Sequence, residues 1–212
     1  MTAKEDIEGA LLDVRKAYRL LYLYQQRVLD LCKEVVAALN TQLTTTLGFK
    51  WWQPCRGKAR GTGLKTTIII DRPPWDYLTL CDFAVFYLPG GQDDDVQNPG
   101  DWMLVLRMTA DSGHPENRTD VTKFATTDDS RTLVTLYAYF SSQRHEGNWF
   151  DTVVDAKYAW PPDAGTRNFD NGFRGFGVTL PLSELSSTEA VEQHVSQFAE
   201  GLRREFPEKA AW

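Results

Sequence analysis

The opening stretch of the chain constrains its fold more than any other segment. Between Thr2 and about Thr44 no proline occurs, the first being Pro54, and Thr2 with Glu5 three residues on forms a capping box. Apolar residues then recur at alternating steps of four and three: Ile7, Leu11, Val14, Tyr18 and Leu21, then the polar Gln25, then Val28, Cys32, Val35 and Leu39. This spacing predicts one long helix carrying a heptad seam. At the rise of an α-helix the seam runs about 48 Å, longer than a compact domain of this size needs. From Ala17 to Tyr24 the helix is apolar around most of its circumference, so it must be covered on more than one side. Two partners are implied, one the chain's own body and the other a second helix; the alternative, that this helix and a later one both cover one face of a sheet, explains the same stripe. The helix interface is accordingly read as Ile7, Leu11, Val14, Tyr18, Leu21, Val28, Val35 and Leu39.

A second helix is legible near the end. Ser186 and Glu189 form another capping box, after which Val191, Val195, Phe198 and Leu202 repeat the same spacing up to Phe206-Pro207. Between the helices the pattern turns to β. Thr66 to Ile70, Tyr77 to Leu88, Trp102 to Met108, Leu133 to Ser141, Thr152 to Ala159 and Phe173 to Leu182 are rich in β-branched and aromatic residues and bounded by Pro, Gly, Asp and Asn. No helical pattern separates them, which points to an antiparallel meander rather than βαβ units. In Leu133 to Ser141, Val134, Leu136, Ala138 and Phe140 form the expected core face, opposite Leu133, Thr135, Tyr137 and Tyr139. The expected fold is α+β: a long N-terminal helix, a mostly antiparallel sheet of five to six strands, and a C-terminal helix packed near the first. Residues 1–46 form the helix and 47–212 the β-rich body of one structural domain.

Composition narrows the chemistry. The 212 residues carry 23 Lys and Arg against 29 Asp and Glu, a net charge of −6, which disfavours binding to nucleic acid or anionic membrane over the whole surface. No run of about 18 uncharged apolar residues and no signal-peptide core is present, and the three scattered cysteines fit a reducing compartment, so a cytoplasmic protein is expected. One segment departs from the acidic balance. From Lys50 to Arg72 six cations face the single acid Asp71, and Trp51 and Trp52 stand beside them. Trp51, Trp52, Arg56, Lys58, Arg60 and Lys65 are the types that hold an anion or a single-stranded nucleic acid, phosphates on the charges and bases on the rings. The structural alternative is a solvated loop anchored by its tryptophans. A phosphate-binding P-loop is excluded, because Leu64 separates Gly63 from Lys65 and a strand pattern follows.

The enzymatic lead is Asp155-Ala156-Lys157, at the end of Thr152-Val153-Val154. It locally resembles the acid-x-Lys strand of the PD-(D/E)xK metal-dependent nucleases. That resemblance implies Mg²⁺ on Asp155, a second acid for which Glu146 is the nearest candidate, and Lys157 helping to activate water. The family's Pro-Asp is absent, and no helix follows the strand. His114, His145 and His194 lie in no metal-binding spacing, and Cys55 beside Arg56 and Lys58 is the best placed thiol. The expected function is therefore a non-catalytic interaction or assembly protein, engaging another protein or another copy of itself through the N-terminal helix. Its acidic C-terminal segment suits a basic partner, as in an inhibitor or immunity-type antagonist. The alternative is a metal-dependent nuclease or nucleic-acid-binding protein built on residues 50–65, Glu146, Asp155 and Lys157.

Overall fold

The heptad-patterned opening is one continuous helix, α1 (Ala3–Gln42), in the computed structural model, which describes residues 3–54, 82–93, 95–113, 124–154, 165–169 and 171–207. Thr2, the expected cap, lies outside these residues. The helix stops without a glycine. Thr44 takes the left-handed conformation at φ 48°, which is costly for a β-branched residue, while the amides of Leu43 and Thr45 close on the carbonyls of Leu39 and Asn40. The Asn40 side chain then accepts a hydrogen bond from the Leu47 amide at 2.8 Å and turns the chain into the sheet.

The strands described are β1 (Leu47–Pro54), β2 (Asp82–Pro89), β3 (Val96–Gln97), β4 (Trp102–Thr109), β5 (Leu133–Ser141), β6 (His145–Glu146), β7 (Gly165–Asn168) and β8 (Phe173–Pro181), followed by α2 (Thr188–Glu205). Six of them form one antiparallel sheet in the order β1-β2-β4-β5-β8-β7, and β3 pairs with β6. The fold is α+β with the expected antiparallel sheet, but the meander is broken at its end, where β8 pairs with β5 and β7 takes the edge beyond β8. β2, β4, β5 and β8 fall where the β patterns lay. β1 and β7 add strands that composition hid, β1 among residues read as a cationic segment and β7 inside a glycine-rich stretch. Two expectations need correction. The strand expected over Thr152 to Ala159 opens instead as a helical turn, Phe150–Val154, started by the Asn148 side chain accepting from the Asp151 amide. The cap of α2 is Ser187, whose hydroxyl accepts from the Ala190 amide, because Ser186 still belongs to the turn that closes Leu182–Leu185. The strand expected over Thr66 to Ile70 lies outside the described residues.

The main core fills the space between the two helices and one sheet face. Val28, Leu31, Val35 and Leu39 of α1 and Val191, Val195, Phe198 and Leu202 of α2 pack on Leu104, Leu106, Leu136, Ala138 and Phe140. The Arg203 guanidinium donates to the Gln42 carbonyl and fixes the ends of the two helices together. The predicted core face of β5 is thus confirmed, but its opposite face is buried as well. Ala84, Phe86, Met103, Val105, Tyr137, Tyr139 and Phe173 form a second cluster under Trp149 and Val153, delivered by the helical turn after β6. The sheet is covered on both faces, which explains the near-continuous apolar runs of β2 and β4.

Candidate interaction surface

α1 divides into two halves with different surroundings. Forty residues of helix span about 60 Å. A six-stranded sheet is only about 24 Å across, and its strands of eight or nine residues run about 30 Å. The body is therefore too small to cover the helix. Val28, Val35 and Leu39 have no exposed surface, and Tyr24 is the first side chain packed against the core. Upstream, every side chain from residue 6 to residue 23 is exposed, including Ile7 at 59%, Tyr18 at 71% and Leu20 at 69%. Of the predicted interface, Val28, Val35 and Leu39 are thus the chain's own core. Ile7, Leu11, Val14, Tyr18 and Leu21 form an uncovered apolar seam.

Leu12, Leu20, Tyr22 and Leu23 widen this surface beyond the seam. An apolar stripe of this extent exceeds the single exposed apolar residues that are ordinary on a protein surface. Its charges are segregated along the axis. From Glu5 to Asp13 the helix holds four acids and no base, and from Arg15 to Arg27 four bases and no acid. The blocks meet where Lys16 bonds Asp13 at 2.9 Å, an exposed pair worth little by itself. This segregation is legible in the sequence, yet the overall charge of −6 obscures it.

The second sheet face is aromatic. Trp51 stacks on Phe86 at 4.8 Å, Tyr137 lies 4.9 Å from Tyr139, and His145 stacks on Phe173 at 4.4 Å. Burial pushes the Tyr137 hydroxyl up to about 12 and the Tyr139 hydroxyl well above its ordinary value, with Arg167 pulling both back, so neither ionises at neutral pH. Burial also lowers His145 from its ordinary value of 6.5. Tyr137 and Tyr139 pack as core with Trp51 and His145 partly buried beside them, and Gly177, opposite Tyr137, and Gly175, opposite Tyr139, leave room for the Tyr137 ring.

Of the other sequence-derived candidates, only some lie among the described residues. Trp51 is half-buried in β1 against Phe86, and Trp52 pairs with Val85 one position on. Arg56, Lys58, Arg60 and Lys65 lie outside the described residues, as do Asp155, Lys157, Cys55 and His114. Glu146 is exposed on β6, where the Arg144 guanidinium donates to it at 2.9 Å. His194 on α2 lies 3.6 Å from Glu184, far in the fold from the aromatic face that holds His145. Cys32 is buried, and desolvation pushes its thiol up to about 12, which makes it a packing residue rather than a nucleophile. Among the described residues no group of three His, Cys, Asp or Glu side chains is placed to hold a metal ion, and no helix is long and apolar enough to cross a membrane.

A protein-family model described as PM0109 matches residues 4–206, a range that takes in both the exposed helix and the body. No curated protein and no solved structure matches the chain.

Proposed function

The chain belongs to the PM0109 family, whose description names no activity, and we propose that it is a non-catalytic interaction or assembly protein whose docking element is the exposed half of α1. The observation that carries this reading is the change of environment along one helix. The same heptad pattern is buried from Val28 onward and exposed before Tyr24. A helix that is apolar on most sides is stable in water only when another surface covers it, and helices gain most of their stability from such packing. The covering surface is another polypeptide, and the docking face presents it with an apolar seam flanked by one acidic and one basic block. The buried free thiol of Cys32 suits a reducing, cytoplasmic setting. The nuclease reading gains no support: Glu146 is engaged by Arg144, and the segment leading into Asp155 begins as a helical turn.

Gel filtration of an unfractionated extract tests the reading. Wild-type chain is expected well above its monomer mass of 24.1 kDa, and a Leu11→Glu, Leu21→Glu double variant at that mass. Wild-type protein eluting as a monomer in the extract would exclude it.

A further inference from the structure

Resting on that reading, we infer that the occupant of the exposed helix is a second copy of this chain, lying antiparallel to the first. The charge blocks carry the inference. Glu5 to Asp13 is wholly acidic in its charged residues, and Arg15 to Arg27 wholly basic. Parallel pairing would set acid beside acid and base beside base over the whole contact. Antiparallel pairing lays each acidic block along the other copy's basic block, twice, by two-fold symmetry.

The heptad seam fixes the register. Crossing the helices between Leu12 and Asp13 places Leu11 against Val14 of the partner subunit and Ile7 against Tyr18 of the partner subunit, so these layers each join one seam position of each type, while Leu21 falls at the end of the overlap, against Lys4 of the partner subunit. On one flank of that seam Glu8 then faces Arg15 of the partner subunit, and on the other Ala10 faces Ala17 of the partner subunit. Glu8 and Arg15 are both exposed in the chain described here, as are the four seam residues. The length agrees as well. This register overlaps residues 3 to 22, about 30 Å of helix, and ends just before Tyr24, where each chain's own core begins. The overlap thus spans the projecting segment, with four of its five seam residues paired in each chain. Leu20, Tyr22 and Leu23, off the seam at the body end, receive the other copy's first turns.

Sedimentation velocity on the purified full-length protein, with charge variants at the flank, tests this. Wild type should dimerise alone. Glu8→Arg and Arg15→Glu each turn two attractive pairs into two repulsive ones and should each raise the dissociation constant roughly tenfold. An equimolar mixture of the two variants should recover wild-type association, because the mixed dimer restores both pairs between chains, which a contact within one helix would not do. Circular dichroism with unchanged unfolding of each variant confirms that the body is intact. A purified wild type that stays monomeric while the extract holds it in a larger assembly would overturn the self-pairing and leave the docking element standing. Variants that associate as tightly as wild type, or a mixture that fails to recover, would overturn the antiparallel register.

Discussion

Tyr137 lies across the backbone of β8, and Gly177, its partner in register, has no side chain to displace it. A Cβ at Gly177 would fall within the Tyr137 ring, against Cδ2 and Cε2, in a layer closed from above by Trp149. Gly177→Ala is expected to cost about 1–3 kcal/mol of unfolding free energy, read from the denaturant midpoint, because the ring cannot move without disturbing its neighbours. His145 shows the same layer through its titration. Burial favours its neutral form, so the unfolded chain takes up the proton first as pH falls through about 6.5. Stability should therefore be level above that pH and decline below it, and unfolding curves of His145→Gln should lack that part of the decline. The pairing of Tyr137 with Gly177 was not visible in the sequence. Gly175 and Gly177 fall inside the expected strand Phe173 to Leu182 with nothing to say why glycine stands there, and only the strand register shows that they serve an aromatic ring.

At the scale of elements, composition was a good guide wherever one pattern dominated and a poor one where two overlapped. α1, α2, β4, β5 and β8 were legible because their apolar periodicity is strong and uninterrupted. β1 was not, because Lys50, Trp51 and Trp52 looked like a binding patch, whereas Lys50 sits at a bulge in an edge strand whose pairing with β2 resumes at Trp51. The reading of β5 as one buried and one open face was half right. Continuous apolar runs such as Phe83 to Leu88 and Met103 to Leu106 were the available sign that both faces of the sheet are covered. The seam on α1 was legible in full, but not the point at which it leaves the body, since that depends on how wide the sheet is. Two substitutions on this one helix separate its halves. Leu39→Ala should cost about 2–5 kcal/mol of monomer stability, as for a core truncation. Leu11→Ala should change it by less than about 0.5 kcal/mol in the dissociated chain and act on association instead. Denaturation at low and high protein concentration distinguishes the two effects.

For the whole molecule, the net charge of −6 and the ordinary composition describe an average over parts that behave differently. The body is a sheet closed on both faces, with Trp51, Tyr137 and Tyr139 packed into it. The charge invoked in the proposed pairing is arranged in two opposed blocks along a helix that outreaches that body. The central claim is that residues 7 to 23 of α1 are covered by another chain, whereas residues 28 to 43 are covered by their own. Amide hydrogen exchange on the assembled protein and on the Leu11→Glu, Leu21→Glu variant compares the two segments directly. Slow exchange from 28 to 43 in both proteins, with protection from 7 to 23 present in the assembly and lost in the variant, is the result predicted. Equal protection of residues 7 to 23 in both proteins, or none in either, would contradict the claim.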